Sequence, residues 1–237
     1  MAAGSESLWL GEGWTKELNP PPFQFPSIRE GEIFGREKVK RLIVGISGAT
    51  GAIYGIRLLE VLGKSNVETH LVITEAAQKT ILMETDWKVE KVKSLAKVTY
   101  DIQNIGADIA SGSFQSEGMV VIPCSIKSLS AIANSFNVNL LIRAADVAIK
   151  EKRRLVLVVR ETPLHKGHLT LMMNLADMGV VILPPIPAFY HHPKTIDDIV
   201  NHTIGKILDL FGINHHLFER WGSAPLKHIL KKKGFKD

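Results

Sequence analysis

Five short apolar runs, residues 39–46, 67–73, 119–122, 155–159 and 180–183, are each followed by a stretch with helical spacing or a helix-capping residue. After the first, Ile53, Ile56, Leu59 and Leu62 predict a helix over 52–64. Thr74 predicts the cap of a second helix running to about Glu84, and Ser125 the cap of another. A further helix is predicted over 138–151, and one over 164–177 with Leu169, Met172, Met173 and Ala176 on one side. Thr195 and Asp198 have the spacing of a capping box ahead of an amphipathic helix carrying Ile196, Ile199, Val200, Thr203, Ile207 and Phe211. Residues 87–117 are less regular, with helical stretches expected over 89–96 and 102–110, and the run 119–122 is expected to stop at Pro123. The all-apolar run 155–159 suits a strand buried on both faces. This alternation predicts an α/β fold, an open doubly wound parallel sheet with helices on both faces.

Ligands of such sheets lie beyond the carboxyl ends of the strands. The informative residues are therefore 47–51, Thr74, 124–128, Arg160 with Glu161, and 189–192. In "GISGATGA", residues 45–52, Gly45, Gly48 and Gly51 permit a tight turn and close approach of backbone N–H groups to a ligand, while Ser47 and Thr50 add hydroxyls. The spacing is G-x-x-G-x-x-G, not the dinucleotide pattern G-x-G-x-x-G. It reads either as a phosphate or flavin loop or as a bare strand-to-helix turn. "PCSIKSLS", residues 123–130, offers a second helix start; Cys124 within it is either a nucleophile or a buried structural thiol. Arg143 and Lys150, seven residues apart, are expected on one helical face, and Arg160 and Glu161 follow a buried strand. Converging cations point to an anionic ligand, against the plainer reading of surface ion pairs. Glu84 reads as a buried acid or base, or, as the sequence alone favours, as a solvated helix end. His165, His168, His191 and His192 do not have the spacing of a metal set, and no metal is expected.

A single cysteine in 237 residues excludes an internal disulfide and fits a reducing compartment. No apolar run approaches the roughly 20 residues of a membrane span. Residues 1–37 carry six Glu against three Lys or Arg, along with four of the eleven prolines, and read as an N-terminal extension. The net charge of +5 therefore comes from the remainder, which carries about +8, as suits an anionic ligand. The expected organisation is an extension over 1–37, a domain over 38–222 and a basic tail over 223–237.

Four stretches in order, "KRLIVGISGATGAIYGIRLLEVL", "PCSIKSLSAIA", "RAADVAIKEKRRLVLVVRETPLH" and "PPIPAFYHHP", closely resemble the UbiX-type flavin prenyltransferases. The resemblance covers about 38–222. It implies a Rossmann-like (flavodoxin-like) fold that binds FMN and needs no metal. It further implies transfer of a dimethylallyl group from dimethylallyl phosphate to N5 and C6 of reduced FMN. The product is prenylated FMN for UbiD-type decarboxylases of ubiquinone biosynthesis or aromatic-acid decarboxylation. The family also implies a cytoplasmic homododecamer with sites at subunit junctions and neither nucleic acid nor membrane as a partner. Carried over by motif, FMN would be held by Ala49, Thr50, Gly51, Thr74, Ser125, Ile126, Lys127, Ser128 and Arg160. The prenyl phosphate would meet Arg143, Lys150, Glu161, Tyr190 and Lys206. Glu84, Thr50, Glu161, Lys150 and Tyr190 would be catalytic, with Glu84 near the reacting flavin edge.

The 37-residue N-terminal extension has no counterpart in typical short members of the family, and within the domain the chain departs from the family in three places. Thr50 stands where many members have Ser, Lys206 where some have Arg, and "NIGADIASGSF" lacks the Trp that some members place near the prenyl group. Two other readings stay in view: a flavin-dependent cysteine decarboxylase of the same fold, against which "PCSIKS" lacks the Asn of a PASANT-type motif, and a non-catalytic FMN carrier.

Overall fold

The structure is a computed structural model that describes residues 40–223 and Gly234. The expected extension over 1–37 and almost all of the basic tail lie outside the described residues. Six parallel strands form one sheet: β1 (Lys40–Ile46), β2 (Val67–Ile73), β3 (Val98–Tyr100), β4 (Gly118–Cys124), β5 (Arg154–Val159) and β6 (Val181–Ile182). Among the described residues seven α-helices accompany them: α1 (Ala52–Leu62), α2 (Glu75–Glu84), α3 (Val89–Lys93), α4 (Ile126–Ala133), α5 (Leu140–Lys150), α6 (Lys166–Asp177) and α7 (Ile196–Leu210). The sheet order β3-β2-β1-β4-β5-β6 is that of the dinucleotide-binding α/β folds, with the reversal of winding between β1 and β4.

Why the central strands are apolar throughout follows from the two cores. Successive side chains of a strand point to opposite faces. Leu42, Val44 and Ile46 of β1, Val120 and Ile122 of β4, and Val156 and Val158 of β5 enter one core with α1, α2 and α7. Their neighbours Ile43, Met119, Val121, Leu155 and Leu157 enter the other with α4, α5 and α6. A strand covered on both sides has no solvent face on which to place polar residues.

Helix ends follow the sequence chemistry. Thr74 accepts the Ala77 N–H at 3.1 Å, and Asn139 accepts the Ile142 N–H at 3.1 Å. Thr195 and Asp198 close a reciprocal capping box.

Two expectations change, and one strand goes unread. β4 does not stop at Ile122 but runs through Pro123 to Cys124. Its register against β5 shifts between Val121 and Cys124, so the proline, which has no N–H to give, falls where the ladder is already interrupted. Residues 102–110 are not a helix; only Asp108–Ala110 make a short 3-10 turn. The Asp101 carboxylate there accepts the Gln103 N–H at 2.8 Å, a local turn that competes with helix formation. β3, a three-residue edge strand, carries too short a pattern to be read from sequence.

Candidate active site

Four strand ends lie side by side along the carboxyl edge of the sheet, tied by backbone hydrogen bonds. The Thr74 N–H donates to the Ile46 carbonyl at 3.0 Å, Ser47 N–H to Pro123 at 3.2 Å, and Arg160 N–H to Cys124 at 3.1 Å. Ser47 reinforces the middle of this row. Its hydroxyl donates to the Pro123 carbonyl at 2.9 Å and accepts the Ser125 N–H at 2.7 Å. The side chain is wholly buried, so Ser47 joins the β1 and β4 turns and does not offer its hydroxyl to a ligand.

The β1 turn needs its glycines. Gly51 has φ 95°, the left-handed region that costs other residues energy. A Cβ on Gly48 would lie 2.3 Å from the Cβ of Ala76 at the start of α2. Thr50 between them is exposed and Ala49 nearly buried. No side chain of the turn caps α1. Instead Glu84, at the last turn of α2, accepts the Gly51 N–H at 2.7 Å and the Ala52 N–H at 3.2 Å through Oε2. A carboxylate is thus fixed at the positive end of a helix and at the rim of the crevice. Glu84 is exposed, as the plainer sequence reading had it, yet held by two donors from another element.

Beside it, Ser125 caps α4, its hydroxyl accepting the Ser128 N–H at 3.3 Å. The N–H groups of Ile126 and Lys127 in that first turn have no partner within the helix. Ser128 is buried beneath them and Lys127 is exposed. Arg160 is exposed and forms no ion pair among the described residues. Hydroxyls from three strand ends, unpaired helix N–H groups and an exposed guanidinium make a lining that fits the phosphate and polar ring edge of FMN. Cys124 is not part of it. The thiol is completely buried and burial pushes its pKa up to about 12, which removes the nucleophile reading.

The residues expected on the prenyl phosphate are spread more widely. Arg143 on α5 pairs with Asp146 at 3.1 Å and donates to the Ala110 carbonyl at 3.3 Å, while Lys150, at the far end of α5, pairs with Glu151 at 3.1 Å. Glu161 accepts the Thr162 N–H at 2.9 Å. Tyr190 lies in the segment between β6 and α7, and its hydroxyl is 3.3 Å from Nε2 of His202 on α7; Lys206, one turn further on, is exposed. No hydrogen bond or ion pair among the described residues joins Arg143 or Lys150 to Glu161, Tyr190 or Lys206. His202 itself was not singled out from the sequence. The available signal was a polar residue among the buried positions Val200, Thr203, Ile204 and Ile207.

Against known proteins, the family described as Flavoprotein matches residues 34–208. Flavin prenyltransferase UbiX of Thauera aromatica is 56% identical over 193 residues, covering 81% of this chain and all of that protein. The chain belongs to the UbiX flavin prenyltransferase family. Among solved structures of UbiX proteins, AnUbiX in complex with FMN and dimethylallyl pyrophosphate superposes with a TM-score of 0.77 at 46% identity, covering 78% of this chain and 99% of that one. The dodecameric FMN-dependent UbiX-like decarboxylase of Escherichia coli O157:H7 gives 0.76 at 48% identity, covering 77% of this chain and all of that one. Among the described residues no helix is long and apolar enough to cross a membrane, and no three His, Cys, Asp or Glu side chains are grouped so as to hold a metal ion.

Proposed function

We propose that this chain is a flavin prenyltransferase that joins the dimethylallyl group of dimethylallyl phosphate to N5 and C6 of reduced FMN, yielding prenylated FMN for a UbiD-type decarboxylase. The observation that carries this reading is the row of tied strand ends with a carboxylate, Glu84, fixed at its rim by two backbone donors. FMN, when bound, supplies the electron-rich ring to which the allyl group is joined. Ala49, Thr50, Gly51, Thr74, Ser125, Ile126, Lys127, Ser128 and Arg160 would hold it. Arg143, Lys150 and Lys206 meet the prenyl phosphate, and Tyr190 donates its hydroxyl proton to a phosphate oxygen, so that charge leaving with the phosphate is met by fixed donors. Glu161 balances these cations. Glu84 is placed to accept the proton that ring closure releases.

Arg143 and Lys150 lie on α5 and Lys206 on α7, helices packed on opposite faces of the sheet, which supports a site completed between copies in a dodecamer like that of the E. coli relative. Apolar side chains at the surface, among them Met83, Phe136, Phe189 and Ile196, supply the contacts such an assembly buries. The catalytic domain on this reading spans 38–222 and works in the cytoplasm.

The test is anaerobic. Protein, FMN, dithionite and dimethylallyl phosphate are mixed, the flavin released and weighed. Gain of one C5 unit is the expected result, and recovery of unmodified FMN overturns the assignment. Repeating the measurement with dimethylallyl pyrophosphate, the ligand in AnUbiX, decides which donor is used.

A further inference from the structure

Tyr190 is the one residue of the proposed phosphate site whose hydroxyl meets a buried partner. Its ring is clasped edge-on by His191, His202 and Trp221, with centroids 5.4, 5.7 and 5.5 Å away. The phenol oxygen has one hydrogen-bond partner among the described residues, Nε2 of His202 at 3.3 Å. His202 is about 91% buried in the middle of α7. Its ring lies flat against His191, 5.0 Å between centroids and 7° between planes, and packs on Phe218 at 4.6 Å. Lys206 follows one helical turn later on α7. Burial first, and then the neighbouring His191 and Lys206, push the His202 pKa below the ordinary imidazole range. The ring is therefore neutral near pH 7 and carries one proton.

A phenol has one proton to give. If Tyr190 spends it on His202, only lone pairs remain to face an anion, and these repel it. If Nε2 of His202 carries its ring's proton and donates to the phenol oxygen, the Tyr190 proton is left for a phosphate oxygen. We propose that His202 is a positioning residue: its Nε2–H holds the Tyr190 oxygen, so that the Tyr190 hydroxyl points its proton at the phosphate of the prenyl donor. The packing suits this role. His191 and Phe218 fix the plane of the imidazole, and the helix fixes its depth. The proposal rests on the functional reading above.

The experiment uses full-length protein loaded with oxidised FMN, in which no transfer occurs, and measures binding of dimethylallyl phosphate by calorimetry. Four variants are compared with wild type: H202F, H202Q, Y190F and H202F/Y190F. Retained FMN absorbance checks that each is folded. H202F keeps an aromatic ring but loses the donor, and is expected to bind about tenfold more weakly, the effect of one hydrogen bond to a charged group. H202Q, which restores an N–H, is expected within about threefold of wild type on the same scale. In the Y190F background, H202F is expected to cost nothing more, because the hydroxyl through which it acts is gone. Equal costs in both backgrounds, wild-type affinity in H202F, or H202Q as weak as H202F would overturn the role of His202 while leaving the functional reading intact. Wild-type protein that holds FMN but does not bind dimethylallyl phosphate would overturn the functional reading, and the role of His202 with it.

Discussion

The turns after β1 and β4 are neighbours in the sheet and both deliver a helix N-terminus to the crevice, yet they are built in opposite ways. The β4 turn caps its own helix: Ser125 caps α4 from within and needs no glycine, although Ser47 of the β1 turn accepts its N–H. The β1 turn cannot cap itself. It relies on the left-handed Gly51, on the bare backbone of Gly48 against Ala76, and on a carboxylate 33 residues away. A locally capped helix start keeps its cap whatever happens to the elements around it. A remotely capped one is coupled to the element that supplies the cap, so the position of Glu84 and the shape of the glycine turn depend on each other.

That contrast can be broken deliberately. The largest effect is expected from Gly48→Ala, since the new methyl can be accommodated only by displacing the start of α2; a loss of about 3 kcal/mol or more, with loss of bound FMN, is expected in denaturant unfolding and flavin absorbance. Unchanged stability would show that the turn yields more readily than its geometry implies. Glu84→Gln keeps an oxygen that can accept from Gly51 and Ala52 but removes the base. Bound FMN is expected to persist while product formation slows by about 100-fold, and undiminished turnover would remove Glu84 from the chemistry. Ser47→Ala leaves the half-buried Ser125 N–H without its acceptor, at a cost of about 2 kcal/mol; because Ser47 ties the two turns together, melting and FMN affinity are both expected to fall. Ser125→Ala removes only a local cap, with about 1 kcal/mol expected. A loss from Ser125→Ala larger than that from Ser47→Ala would reverse the comparison.

The strand and helix order was legible because period-2 and period-3.6 patterns are local and both cores demand them. The caps at Thr74, Ser125 and Thr195 were legible for the same reason, since donor and acceptor lie three residues apart. Residues 102–110 misled because isolated apolar residues mimic helical spacing, while Asp101 organises a turn that the spacing does not reveal. Pro123 misled because a proline ordinarily ends a central strand, and only the register of β5 shows where the ladder lets it pass. Arg143 and Lys150 do lie along one helix, but which partners that helix lends them, Asp146 and Glu151, is not a property of their spacing.

The sequence by itself determined most of the elements and their ends, the open parallel sheet, and the family through four motifs in register. The tertiary structure decided the pairings that cross the chain. Ser47 meets Ser125 over 78 residues, Glu84 meets Gly51 over 33, and His202 closes on Tyr190 from a separate element. The reason is physical: helical and strand periods are written along the backbone, whereas a hydrogen bond between distant segments exists only once packing has fixed the distance and direction between them, and no local pattern encodes either.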